Sequence, residues 1–263
     1  MAGASREIQH MRMNAIEVLE SSSLFAGLDQ SALKELAGAF TSETWPKNVE
    51  IAAATATGMY FRVIASGRVK IVRSNSHNGR ELTLWLLGPG DAFDILVLLD
   101  DRAHPNCART LDEVETLSIP ITVLREWLER SAPLQVAAHR YVARQLAALT
   151  DLATDLALTD TMTRLAHLLL RHFDPDQRTA SQSRNLIRDL SQEELASLVG
   201  SVRVVVSRSL AALKRQGVID THHGALRVLD LKRLLHLAEA HIARAERSRV
   251  RDRSRRDITG QPV

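Results

Sequence analysis

The sequence predicts an α+β protein, a β-rich N-terminal half followed by a helical C-terminal half, and three observations carry that prediction. Between Thr44 and Ile119, short runs of Val, Ile, Leu, Tyr and Trp are separated by turn residues at intervals of about 8–12 positions. After Pro120 the apolar positions recur at three- and four-residue steps, the period of a helix with one buried face. Charge divides along the same line: residues 1–160 carry 15 Lys and Arg against 20 Asp and Glu, whereas residues 161–263 carry 19 against 11. The 263 residues suffice for one large or two ordinary domains, each able to bury a core. A content of 45% hydrophobic and 25% charged residues is that of a soluble globular chain.

From Ser21 to Phe40, Leu24, Phe25, Leu28, Leu33, Leu36 and Phe40 fit short helices joined at Gly27–Leu28–Asp29. Strands are expected at Met59–Ile64, Arg68–Arg73, Glu81–Leu87, Arg109–Leu111 and Val114–Ile119. Turns are expected at Ser66–Gly67, Ser74–Gly79 and Gly88–Pro89–Gly90, which together predict an antiparallel barrel or sandwich. A helix over Val123–Arg130 is expected to stop at Pro133, and a longer one to run to about Leu158. In that longer helix Val142, Leu146, Leu149, Ala153 and Leu156 form a seam suited to a symmetric dimer, although packing on the chain's own domain gives the same spacing. Asp160 or Thr161 caps a further helix through Phe173, and a polar loop, Asp174–Arg184, follows. The resulting divisions are 1–130, 131–159, 160–238 and a basic extension over 239–263.

Several classes are disfavoured. A lone cysteine, Cys107, cannot form an internal disulfide or a four-thiolate cluster, and it fits a reducing compartment. The longest stretch that leans apolar without charge, Ile51–Phe61, is too short to span a bilayer, and the N-terminus lacks the apolar core of a secretory signal, so a cytoplasmic protein without a membrane segment is expected. No Gly-rich phosphate loop or His-x-x-x-His pair is present. Asp94, Asp100, Asp101 and His104 cluster near a turn without a partnered nucleophile, so no enzyme is expected.

Residues 190–229, LSQEELASLVGSVRVVVSRSLAALKRQGVIDTHHGALRVL, carry the strongest functional signal. Ser191 and Glu194 form a capping box that opens a short helix, and Gly200 breaks it. Ser201 is expected to cap a second helix from Val202 to Gln216, with Val206, Leu210 and Leu213 buried and Gly217 as its stop. Val218–Ile219 and Leu226–Val228, turning at His222–His223–Gly224, complete a winged helix-turn-helix, whose second helix enters the DNA major groove. On its outer face lie Arg203, Val204, Ser207, Arg208 and Ala211. Arg203 and Arg208 can donate paired hydrogen bonds to guanine, Ser207 can reach a base or a phosphate, and Val204 can pack on a thymine methyl. Ser201, Lys214, Arg215, His222 and His223 suit the phosphate backbone. A helix-turn-helix that instead contacts a protein is the competing reading.

On these residues the chain resembles the cyclic-AMP receptor protein/FNR family of bacterial transcription regulators, over roughly residues 21–238. The resemblance implies an N-terminal β-roll like a cyclic-nucleotide-binding jelly roll, a long dimerisation helix and a C-terminal winged helix. It further implies ligand-controlled binding of a homodimer to a two-fold DNA site, with a small-molecule effector and RNA polymerase as partners. The departures from the family are informative. Counting from Gly90, Asp94 and Ile95 stand at the family's Gly-Glu pair, and His104 and Pro105 fall at about the Arg-Ser pair that holds the phosphate. A carboxylate in place of a phosphate ligand is repulsive, so cyclic AMP is not the expected effector. The lone cysteine disfavours an iron–sulfur cluster, whereas a haem held by His77 or His104 is a further reading. In much of the family a glutamate stands where this chain has Val204, so a different preferred half-site is expected.

Overall fold

The computed structural model describes residues 15–51, 60–102, 104, 106–172, 186–222 and 225–239. It opens with α1 (15–21) and α2 (Gln30–Ala37); the Asp29 side chain caps α2 by accepting the Ala32 N–H at 2.8 Å. Eight strands follow in two four-stranded antiparallel sheets. One orders β1 (Thr41–Trp45), β8 (Val114–Pro120), β3 (Tyr60–Ser66) and β6 (Ala92–Phe93). The other orders β2 (Glu50–Ile51), β7 (Cys107–Thr110), β4 (Val69–Ser74) and β5 (Glu81–Leu87). The expected strand at Arg109–Leu111 lies earlier, at Cys107–Thr110, because the chain bends at 111–112 after a last ladder bond from the Leu111 N–H to the Arg68 carbonyl.

Ile51, Ile64, Val69, Ile71, Leu87, Phe93, Ala108 and Val114 come from both sheets and fill the space between them. The other face of the first sheet, with Phe61, Val63, Leu117 and Ile119, joins Leu19, Leu36, Leu124 and Leu134 from helices. Burial on both faces explains why β3 reads as a nearly unbroken apolar run. The exception is Arg62 in β3, only 1% exposed. Its Nε donates to Glu43 at 3.0 Å, Ser118 Oγ donates to the same carboxylate at 2.7 Å, and the guanidinium lies over Trp45 and Tyr60 at 5.5 and 5.7 Å. A buried cation is tolerable only when satisfied in this way.

Three helices complete this region: α3 (Ile95–Asp100), α4 (Ile121–Arg130) and α5 (Ala132–Leu158). Pro133 does not end α4, as the sequence predicted. The break falls at Ser131, in extended backbone, and Pro133 sits in the first turn of α5, where its missing N–H costs no hydrogen bond. The Tyr141 hydroxyl of α5 accepts the Ala92 N–H at 3.0 Å and donates to the Ala92 carbonyl at 2.7 Å, fastening the helix to β6.

The chain's two units divide within α5, between Leu152 and Ala153. The second unit holds α6 (Thr161–Arg171), α7 (Gln192–Leu198), α8 (Arg203–Arg215), a hairpin of β9 (Ile219–His222) and β10 (Ala225–Val228), and α9 (231–239). Asp160, not Thr161, caps α6, accepting the Thr163 N–H at 2.9 Å; the expected end at Phe173 lies outside the described residues. Buried Asp155 accepts from His167 Nδ1 at 2.8 Å and from Arg171 at 3.0 Å, and His167 Nε2 faces the Ala238 carbonyl at 3.2 Å. The last turn of α5 is thereby tied to α6 and α9.

Candidate nucleic-acid interface and ligand cavity

The capping box is present in both directions: Ser191 Oγ accepts the Glu194 N–H at 3.2 Å, and Glu194 accepts the Ser191 N–H at 2.6 Å. Gly200, with φ of 61°, ends α7 as expected; its N–H donates to Ser197 and the Ser201 N–H to Ala196, the paired bonds of a Schellman turn. Gly217, at φ 69°, closes α8 identically, with the Gly217 N–H donating to Lys214 and the Val218 N–H to Leu213. The turn at Gly200 sets α7 and α8 at 100° to one another, the angle of a helix-turn-helix.

Val206, Ser209, Leu210 and Leu213 are the buried face of α8, whereas Arg203, Val204, Arg208, Ala211 and Arg215 are exposed and Ser207 is half-buried. Among the described residues Arg203, Arg208 and Arg215 form no ion pair. Val204 is 58% exposed between two exposed valines, Val202 and Val205, an apolar strip on a polar helix that sequence periodicity marked only at Val204.

Ser201 is a correction. It does not cap α8; Val202 takes that position without a side-chain bond, because the Schellman turn holds the Ser201 N–H on α7 while its hydroxyl pairs with Thr161 Oγ1 at 3.1 Å. The first amides of α8 are therefore uncapped by a side chain, an arrangement that receives phosphate oxygens. Lys214 is likewise engaged, pairing with Asp220 of β9 at 3.2 Å, so it braces the wing. His222 ends β9 opposite Ala225; His223, with Gly224, lies outside the described residues.

A cavity of about 190 Å³ lies in the first unit between β4–β7, α3 and the middle of α5. Its walls are mostly apolar, with Ile71, Leu87, Phe93, Ile95, Val142 and Leu149 among them, and contain no Lys or Arg among the described residues. Asp94, Ile95 and His104 line it. Gly90 does not: it occupies the β5–β6 turn at φ 84°, where a Cβ would meet Ser21 at 3.1 Å. Pro105 lies outside the described residues. His77 sits exposed in the β4–β5 turn, away from the cavity, and His104 Nε2 is engaged by both Asp100 oxygens at 3.0 and 3.1 Å. The two histidines are thus not brought together as a pair of haem ligands. Asp101 pairs with Arg125 at 2.7 Å, so Asp100, Asp101 and His104 are all engaged in structural contacts, whereas Asp94 is not. The Cys107 thiol is pushed up to about 12 by burial and by Glu50, which makes it a poor nucleophile and thiolate ligand.

Asp94, which follows β6 in the left-handed region at φ 69°, has its carboxyl raised to about 7 by burial, against the pull of Arg62. Since 3.8 is its ordinary value, the native state binds the extra proton between 3.8 and about 7, so the stabilising difference is full below that window and is lost as pH rises through it. Asn also accepts left-handed backbone, so Asp94→Asn isolates the titration. The expected result is a wild-type melting temperature that declines relative to the variant from pH 4 to 7; a constant gap in calorimetric scans contradicts it.

Along α5 the seam residues differ. Leu146 is 64% exposed and Ala153 exposed, whereas Val142, Leu149 and Leu156 are half-buried. No single helix among the described residues is long and apolar enough to cross a membrane.

Comparison with known proteins agrees with both units. Residues 42–131 match the cyclic nucleotide-binding domain and residues 163–237 the Crp-like helix-turn-helix domain. The CRP-like cAMP-activated global transcriptional regulator of Mycobacterium tuberculosis is 31% identical over 225 residues, covering 84% of this chain and 99% of the relative. The cyclic AMP receptor protein of Thermus thermophilus is 29% identical over 224 residues, covering 84% and 98%. The fold is shared with the c-di-GMP-responsive regulator CLP of Xanthomonas campestris, at a TM-score of 0.64 and 21% identity, covering 77% of this chain and all of that one. With a β-roll followed by a long helix and a helix-turn-helix, and with a relative this similar along nearly its whole length, the chain belongs to the CRP/FNR family of transcription regulators.

Proposed function

We propose that the chain acts in the cytoplasm as a homodimer, binding a two-fold DNA site through α8 under control of an effector other than cyclic AMP. The observation that carries this reading is the outer face of α8, where exposed Arg203, Val204 and Arg208 surround half-buried Ser207 and neither arginine is paired within the described chain. Guanidinium groups so presented match guanine O6 and N7, and Arg215 adds a phosphate contact. Exposed Leu146 on α5 supports a second copy of the chain as partner, because a leucine of that exposure on a long helix is covered at low cost by its symmetry mate. Both curated relatives carry cyclic AMP in their names, yet the cavity offers no cation for a phosphate among its described residues and places Asp94 in its wall. The regulator reading requires no catalytic step, and RNA polymerase is the partner through which bound protein acts on transcription.

The test is in vitro selection of a DNA site by the full chain, followed by fluorescence anisotropy against salt, with and without cyclic AMP. A two-fold site, a steep fall in affinity with salt and no gain from the nucleotide are expected. Leu146→Glu should sediment as a monomer and bind the full site weakly. Affinity that ignores salt and sequence favours the protein-interaction module instead.

A further inference from the structure

Buried polar atoms without partners are rare in folded proteins, and where several line one space they mark what that space is built to hold. Among the described residues five buried side-chain N or O atoms lack a hydrogen-bond partner, and three of them belong to residues in the wall of the β-roll cavity: Trp85 Nε1, Asp94 Oδ2 and Gln145 Oε1. Each contributes a defined capacity. The indole N–H can only donate. The Gln145 side chain lies beside Tyr141, and its Oε1 is an acceptor left without a partner. The carboxyl of Asp94, raised to about 7, both donates and accepts near neutrality.

We propose that this cavity binds an uncharged, mainly apolar small molecule of about substituted-benzene size, whose hydroxyl or carbonyl group meets Trp85, Asp94 and Gln145. The apolar remainder of the wall supplies the affinity, and an apolar cavity of roughly 150 Å³ is known to hold benzene, so about 190 Å³ admits a ring with a short substituent. An anionic ligand has no cation to meet among the described residues of this wall, and it would have to hold the Asp94 carboxyl in its protonated form. A hydroxyl satisfies the unpaired set in both senses, since it accepts from the indole and donates to the amide or carboxyl oxygen. Because α5 contributes Val142, Gln145, Leu146 and Leu149 to the wall, the occupant touches the helix that carries the seam. The inference rests on the reading that the effector is not a cyclic nucleotide, and it names the ligand class of that same site.

The full-length protein is titrated calorimetrically with 4-propylphenol, propylbenzene, 4-propylbenzoate and cyclic AMP. Stoichiometric binding of 4-propylphenol is expected, about tenfold tighter than that of propylbenzene or the benzoate, with no heat of binding from cyclic AMP. Trp85→Phe deletes one N–H with little change of shape, so it should reduce the preference for phenol over propylbenzene about fivefold while leaving propylbenzene binding unaltered. Ala108→Phe, which fills the cavity, should abolish binding of 4-propylphenol; the Trp85 variant keeps the test valid if that protein does not fold. Absent phenol binding, or a benzoate or propylbenzene that equals the phenol, overturns the ligand class and leaves the wider reading intact. Binding of cyclic AMP alone overturns both.

Discussion

Replacing Arg208 with alanine is expected to weaken binding to the selected DNA site about 5- to 150-fold, the equivalent of ~1–3 kcal/mol, and to relax the preference at one base pair of each half-site. Arg208 is exposed on the outer face of α8, clear of the buried Val206, Leu210 and Leu213, so the substitution removes a contact without disturbing the core. Arg208→Lys restores the charge but not the planar fork, and should recover non-specific affinity while leaving the base preference relaxed. Arg215→Ala should instead weaken all sequences alike and lower the salt slope by about 1. A selection on Arg208→Ala that returns the wild-type site, with unchanged preference at every position, would remove this arginine from base readout. Val204→Glu is informative beside it. An apolar side chain 58% exposed contributes packing, and a carboxylate there creates an acceptor for cytosine N4, so the preferred base should change at the position that Val204 faces.

The largest effect on stability is expected from Gly67→Ala, in the turn between β3 and β4. Gly67 holds φ of +82°, and a Cβ built there would lie 2.4 Å from the Glu113 carbonyl and 2.9 Å from Val114 Cγ2. The nearest obstacle is backbone at the start of β8, which pairs with β3, so relief requires the sheet itself to move. Left-handed strain of about 1–2 kcal/mol and overpacking of about 1–3 kcal/mol together predict a loss of about 2–5 kcal/mol. Gly79→Ala is the control, because its φ of +67° imposes the same backbone strain while no atom lies within 4 Å of the added methyl. Denaturant melts of both variants should therefore differ by the overpacking contribution. Equal losses would show that the clash at Gly67 is relieved without cost.

Features encoded by neighbouring residues were legible before any coordinates. The capping box at Ser191 and Glu194, the glycine stops at Gly200 and Gly217, and the buried face of α8 all follow from backbone donors and a 3.6-residue period, which act within one or two turns. The two-residue strands β2 and β6 carry no period of their own, and α3 reads as a plain apolar run because Asp94 and Asp101, both left-handed, bound it instead of glycine. Ser201 has the chemistry of a cap and was read as one, but its hydroxyl goes to Thr161, forty positions away in the chain.

The residue order alone determined an antiparallel β domain, a long helix and a winged helix-turn-helix, and which side of α8 faces outward, because capping, turn chemistry and amphipathic period are local; that the β domain is a roll was implied only by the family resemblance. Tertiary structure decided the rest. Arg62 became a core residue because Glu43 and Ser118 converge on it from neighbouring strands. Asp155 joined three helices through His167 and Arg171. Trp85, Asp94 and Gln145, sixty positions apart at their extremes, came to line one apolar cavity with unpaired polar atoms. Burial and partner geometry depend on segments distant in sequence meeting in space, and no window along the chain contains that information.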